Sequence, residues 1–171
     1  MQLTGVLSIG LLIAIAFLEL DRKGRITNFA LIKKAKTLIS LWLTTTVIYI
    51  LVQIAYLLDQ PLTASFDLTV IRSYLTQTSI GKSYLIQIIG IIVVLAISLK
   101  KVISTYLALL ISLIAISASI FQSHGSTSGH HGLAIGALVI HVIALSFWVG
   151  GLFGLTQLGK EHKLIALPRF S

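Results

Sequence analysis

Cysteine is absent from this 171-residue chain, and methionine occurs once, as Met1. No disulfide, thiolate metal site or cysteine nucleophile is therefore available, and soft-metal chemistry falls to histidine. Charge is scarce as well: Asp, Glu, Lys and Arg make up 11% of the chain and hydrophobic residues 56%, whereas soluble domains carry about 25% charge. That balance excludes a soluble globular domain and implies an integral membrane protein. Only five residues are acidic. No nucleophile and base, and no pair of carboxylates, stand at usable spacing, which argues against an enzyme.

Apolar sequence fills the space, in five runs. The first, Leu3 to Leu20, has no basic stretch before it and no small-x-small cleavage site after it, so it reads as a retained helix rather than a secretory signal. A basic loop follows from Asp21 to Lys36, with Arg22, Lys23, Arg25, Lys33, Lys34 and Lys36. The other runs are Thr37–Leu58, Tyr84–Leu99, Val102–Gln122 and Gly132–Leu155. The third and fourth are separated only by Lys100 and Lys101, which predicts a tight antiparallel hairpin. In the fourth, Thr105, Ser112 and Ser119 alternate with Ala108 and Ala115, a small-residue stripe suited to close helix packing. Between the second and third runs, Asp67 is a candidate N-cap for a short helix bearing Leu68, Ile71 and Leu75, too short to span and suited to the outer interface, with Tyr74 near headgroup depth. The expected fold is a single all-α polytopic transmembrane bundle over residues 1–171, with five spans and one short outer interfacial helix.

The fifth run carries the chemistry. Its 24 residues hold no formal charge and extend roughly 36 Å as a helix, enough to cross a core of about 30 Å. At about 100° per residue, Gly132, Gly136, Gly150 and Gly154 share one seam, while His130, His141 and Trp148 fall on the opposite face. His141 stands near the middle, where polar groups are costly and usually face protein or a water-filled cavity. The segment Ser123–His131, reading SHGSTSGHH, adds His124, His130 and His131 at the mouth of this helix.

Orientation follows from the basic residues. The loops after the first, third and fifth runs hold 6, 2 and 3 Lys or Arg, against 2 and none in the others. The positive-inside rule then sets the N-terminus outside and the C-terminus in the cytoplasm. Most of the +8 net charge is thus topological, which removes the case for nucleic acid, and the histidine loop faces outward. His130 and His141 are separated by roughly 16 Å of helical rise, too far to share one metal ion but suited to two successive stations. Imidazole suits copper, zinc, iron or nickel, and the lack of carboxylates by the loop argues against calcium or magnesium. Haem ligation needs a second histidine at similar depth, which only another chain could supply. Proton relay through His141 is a third class of function, which the sequence neither supports nor excludes. A solvated Ser/Gly/His turn, with His141 hydrogen-bonded to a neighbouring helix, accounts for the same residues without any ligand.

HVIALSFWVGGLFGL, His141 to Leu155, resembles the His-x(6)-Trp-x-Gly-Gly-Leu signature of the copper resistance D (CopD) family. TQTSIGKSYLIQ, Thr76 to Gln87, is similar to that family's Thr-x-x-Gly-Arg/Lys start of a helix, and the closing Arg169-Phe170-Ser171 to the Arg-Phe-Ser that precedes its next helix. The first two helices and their basic loop resemble the N-terminal part of longer members, some of them fused to a cytochrome c oxidase assembly domain. The resemblance implies a cytoplasmic-membrane protein that moves or supplies copper, with His141 as copper-site residue and Trp148, Gly150 and Gly151 as its structural support. Its expected partners are the lipid bilayer, copper ions, a periplasmic copper-binding protein, oxidase assembly factors, or the helices that follow Arg-Phe-Ser in the family. Relative to those members this chain is expected to be truncated. His124, His130 and His131 come from composition alone.

Overall fold

The computed structural model describes residues 2–18, 28–118 and 131–157. Among them the elements are helical: α1 Gln2–Leu18, α2 Phe29–Leu58, a 3-10 turn Leu62–Phe66, α3 Leu68–Gln77, α4 Ser79–Ala96, α5 Val102–Ala118 and α6 His131–Thr156. Three of these helices are long and apolar enough to cross a membrane: α2, α4, and α6 from Gly136 to Thr156. α1 and α5 are apolar but shorter.

α2 begins eight residues before the expected Thr37. Asn28 caps it, its side-chain oxygen accepting from Leu31 N–H at 3.1 Å. Lys33, Lys34 and Lys36 therefore sit on the first turns of a helix rather than in a loop. At 30 residues α2 is roughly 45 Å long, so its basic start projects beyond an apolar core of about 30 Å. Its buried face, Leu31, Ala35, Ile39, Trp42, Thr46, Ile50 and Ile54, repeats every three or four residues, as one side of a helix must. The helix stops at Asp59, whose left-handed backbone (φ 49°) turns its N–H back toward the carbonyls of Ala55 and Tyr56.

The connector between α2 and α4 forms the short capped helix that its sequence suggests. Asp67 accepts from Thr69 N–H at 2.8 Å and starts α3. Thr78 forms the corner into α4: its hydroxyl accepts from Gly81 N–H at 2.8 Å and donates to the Tyr74 carbonyl at 2.7 Å. A Cβ on Gly81 would overlap that same carbonyl. The Thr-x-x-Gly pattern thus serves a capping hydroxyl and a close backbone approach. With this cap α4 starts at Ser79, not Tyr84, and ends at Ala96, not Leu99. Burial pushes the Tyr74 phenol above its usual range, and neighbouring Tyr49 adds to the effect.

α1 is the centre of the bundle. It packs against α2, α5 and α6, and Ile9, Leu12, Ile15 and Ala16 are completely buried, which is why its sequence is apolar on every side. Glycines fix the registers. Gly10 lies against Gly150, and Gly154 against Gly10 and Ala14, so α1 and α6 run parallel; Gly5 meets Trp42 and Ile116; Gly90 meets Ala115. Thr4 and Thr45 join their hydroxyls at 3.1 Å. The constant offset between α1 and α6 sets Gln2 level with Val142, so α1 begins beside the middle of α6. Five buried hydroxyls are satisfied within their own helices: Ser8, Thr46, Thr105, Ser112 and Ser146 each donate to the carbonyl four residues earlier, at 2.7–3.1 Å, the solution expected where no water is available. Thr105, Ala108, Ser112 and Ala115 are all buried; Ser119 falls outside the described residues.

Candidate functional site

α6 divides by face. Gly150, Gly151 and Gly154 are buried, and a Cβ on Gly10 would run into the Gly150 carbonyl, with Val6 and Ala14 closing the same seam. The small-residue seam is thus where α1 and α6 approach most closely, backbone against backbone, with Val142, Phe153 and Leu155 packing into the core that α1 shares. It does not extend to Gly136, which has open space around it, because α1 starts one and a half turns further along α6. Gly132 has no described surroundings.

Opposite the seam lie His141 and Trp148, both exposed, Trp148 to 71%. With Leu145 and Leu152, 40% and 48% exposed, they form a stripe at alternating four- and three-residue steps, the spacing that packs one helix along another. Among the described residues the stripe is uncovered, and the His141 side chain makes no hydrogen bond. The structure therefore places His141 at mid-helix on the outer surface of α6, away from the interior of the bundle.

The expected relay is only partly visible. His124 and His130 lie outside the described residues, and His131 is the first residue of α6. Among the described residues no three His, Cys, Asp or Glu side chains gather where a metal could be held. A cleft of about 540 Å³ lies between α4, α5 and α6, walled by Ser83, Ser117, Val139 and Ile143 among others. His141 does not line it.

Sequence reasoning passed over a set of interior polar groups. Gln87 and Thr46 are fully buried and face each other across the α2–α4 contact, Gln87 Nε2 lying 3.5 Å from the Thr46 hydroxyl. Among the described residues, Gln87 Oε1, Trp42 Nε1 and Ser117 Oγ are buried without partners. Gln87 is the signal that was available, an amide in the middle of an apolar run. Toward the α3 end of this pair, Gln53 donates to the Tyr49 hydroxyl at 2.7 Å, and Tyr49 stacks edge-on against Tyr84 at 5.7 Å. Toward the basic end, Ile39, Ile91 and Val94 are completely buried and apolar.

Long apolar helices, hydroxyls turned back on their own backbones, and basic residues gathered at one end define a helical integral membrane protein. More specifically, the chain belongs to the family described as copper resistance protein D-like, N-terminal domain, which matches residues 1–134. The match covers α1 to α5 and ends in the first turn of α6, short of His141, Trp148, Gly150 and Gly151. No curated protein and no solved structure matches the chain.

Proposed function

We propose that this chain binds copper and passes it across the cytoplasmic membrane as a single five-span unit, N-terminus outside and C-terminus in the cytoplasm, by ligand exchange on histidines rather than by covalent catalysis. α1 and α5 act as the two shorter spans. The observation that carries the reading, beside family membership, is His141: a ligating imidazole at mid-helix, unpaired among the described residues and directed away from the glycine seam. Such a group is stable at that depth only once a metal, a partner or water meets it. His124, His130 and His131 capture the ion outside, Gly150 and Gly151 hold α6 in place, and Trp148 flanks His141 on the exposed stripe. Copper is the cargo, and its valence follows whichever ligands complete the site.

The uncovered stripe His141, Leu145, Trp148, Leu152 favours a second reading, a non-transporting membrane partner in cytochrome c oxidase assembly, whose α6 docks on another protein; a haem held between His141 and a histidine of another chain is a variant of it. Cellular copper accumulation separates the two. Transport predicts that expression changes copper content and that His141→Ala abolishes the change. An unchanged copper content, with oxidase subunits co-purifying in a His141-independent manner, supports the partner reading and refutes transport.

A further inference from the structure

At the basic end of the bundle, α1, α2 and α6 diverge around a cleft of about 460 Å³ lined by Leu11, Ala30, Lys33, Lys34, Thr37, Leu38, Phe153 and Gln157. Its composition is divided. Leu11, Leu38 and Phe153 form an apolar floor, and Lys33, Lys34, Thr37 and Gln157 form a polar rim. Lys34 Nζ donates to Gln157 Oε1 at 3.1 Å, tying the rim of α2 to the end of α6. The Lys33 carbonyl accepts from the Thr37 hydroxyl at 3.0 Å, and among the described residues its ammonium has no hydrogen-bond partner and neither lysine meets a carboxylate.

Three features concentrate positive potential at this end. Lys33 and Lys34 are in the second turn of α2, near the end where the helix dipole is positive. The first turn of α2 holds no acidic residue to offset it. Lys100 approaches the same end, its Nζ 5.8 Å from the centre of the Phe29 ring. Lys36 is already committed, donating to the Leu95 carbonyl at the end of α4 at 3.0 Å, where a cation complements the helix C-terminus. Lys34 is held on one side by Gln157 at the end of α6, whereas the Lys33 ammonium has no partner among the described residues, and two adjacent cations in the opening turns of a helix favour an anion beside them.

We propose that this cleft is a site for one anionic phospholipid of the leaflet at the basic end, its phosphate held by Lys33 and Lys34 and the start of one acyl chain laid on Leu11, Leu38 and Phe153. The apolar floor selects a lipid over a free phosphate, and the lysine pair selects an anionic headgroup over a zwitterionic one. Basic pockets between transmembrane helices recognise lipid headgroups on these terms. A bound lipid would also bridge α2 to α6, which among the described residues are joined at this end by the Lys34–Gln157 bond. The site is separate from the copper reading and stands or falls without it.

The test is the thermal unfolding midpoint of the purified chain in dodecylmaltoside with added phosphatidylglycerol, phosphatidylcholine or inorganic phosphate. Phosphatidylglycerol is expected to raise the midpoint above the other two. Lys33→Gln/Lys34→Gln is expected to lose that increment, while Arg72→Gln/Lys82→Gln, with the same charge change at the other end, keeps it. If the double variant does not fold, Lys33→Gln, which removes no hydrogen bond within the chain, serves in its place with a reduced increment. Equal increments from both lipids, reproduction of the effect by phosphate alone, or an increment untouched by the lysine substitutions would each overturn the proposal.

Discussion

Gln87 shows how a single side chain behaves in this interior. Among the described residues its oxygen is buried without a partner and its nitrogen has only a long contact to Thr46. An unsatisfied buried acceptor costs about 1–3 kcal/mol, and removing it with an apolar residue of similar shape is close to neutral or stabilising. Gln87→Met is therefore expected to leave the unfolding midpoint in detergent unchanged or higher. A loss of more than about 2 kcal/mol would show instead that the oxygen has a partner of its own, since that is the scale on which a satisfied buried group is missed. His141 was legible as an intramembrane imidazole from sequence alone. Its surroundings were not, because periodicity fixes which residues share a face and leaves open which neighbouring helix that face meets.

At the scale of the helices, glycine decides approach. Gly10 and Gly136 are both helical glycines, yet a Cβ at Gly10 would enter the Gly150 backbone whereas one at Gly136 meets nothing. Gly10→Ala is expected to destabilise by at least about 1–3 kcal/mol, the range for overpacking. Gly136→Ala is expected to gain up to about 1 kcal/mol from helix propensity. Unfolding of the two variants in the same detergent checks both; equal effects would refute the register of α1 against α6. Spacing made Gly150 and Gly154 on α6 and Thr105, Ala108, Ser112 and Ala115 on α5 readable as packing faces, but it also put Gly136 in the seam, because period alone does not show where α1 begins. The early start of α2 was hidden because three lysines in four residues resemble a loop, when in fact Asn28 caps a helix longer than the apolar core. The start of α4 was hidden similarly, since Thr78 and Gly81 read as connector until their hydrogen bonds are seen.

For the whole molecule, the sequence pattern conveys class more readily than depth. Composition and the basic loops already define a membrane bundle, and the structure adds that α1 is its centre and begins level with the middle of α6. That offset lies in contacts between distant helices, which no single run of sequence encodes. It also leaves the first half of α6, up to about His141, without α1 beside it. Copper binding by the purified chain tests the copper reading most directly, comparing wild type with His141→Ala and with the triple variant His124→Ala, His130→Ala, His131→Ala, under oxidising and reducing conditions. The histidine stations predict one or two copper ions bound by wild type and the loss of one in at least one variant. Wild type that binds no copper in either condition, or variants that bind as much as wild type, would contradict the account.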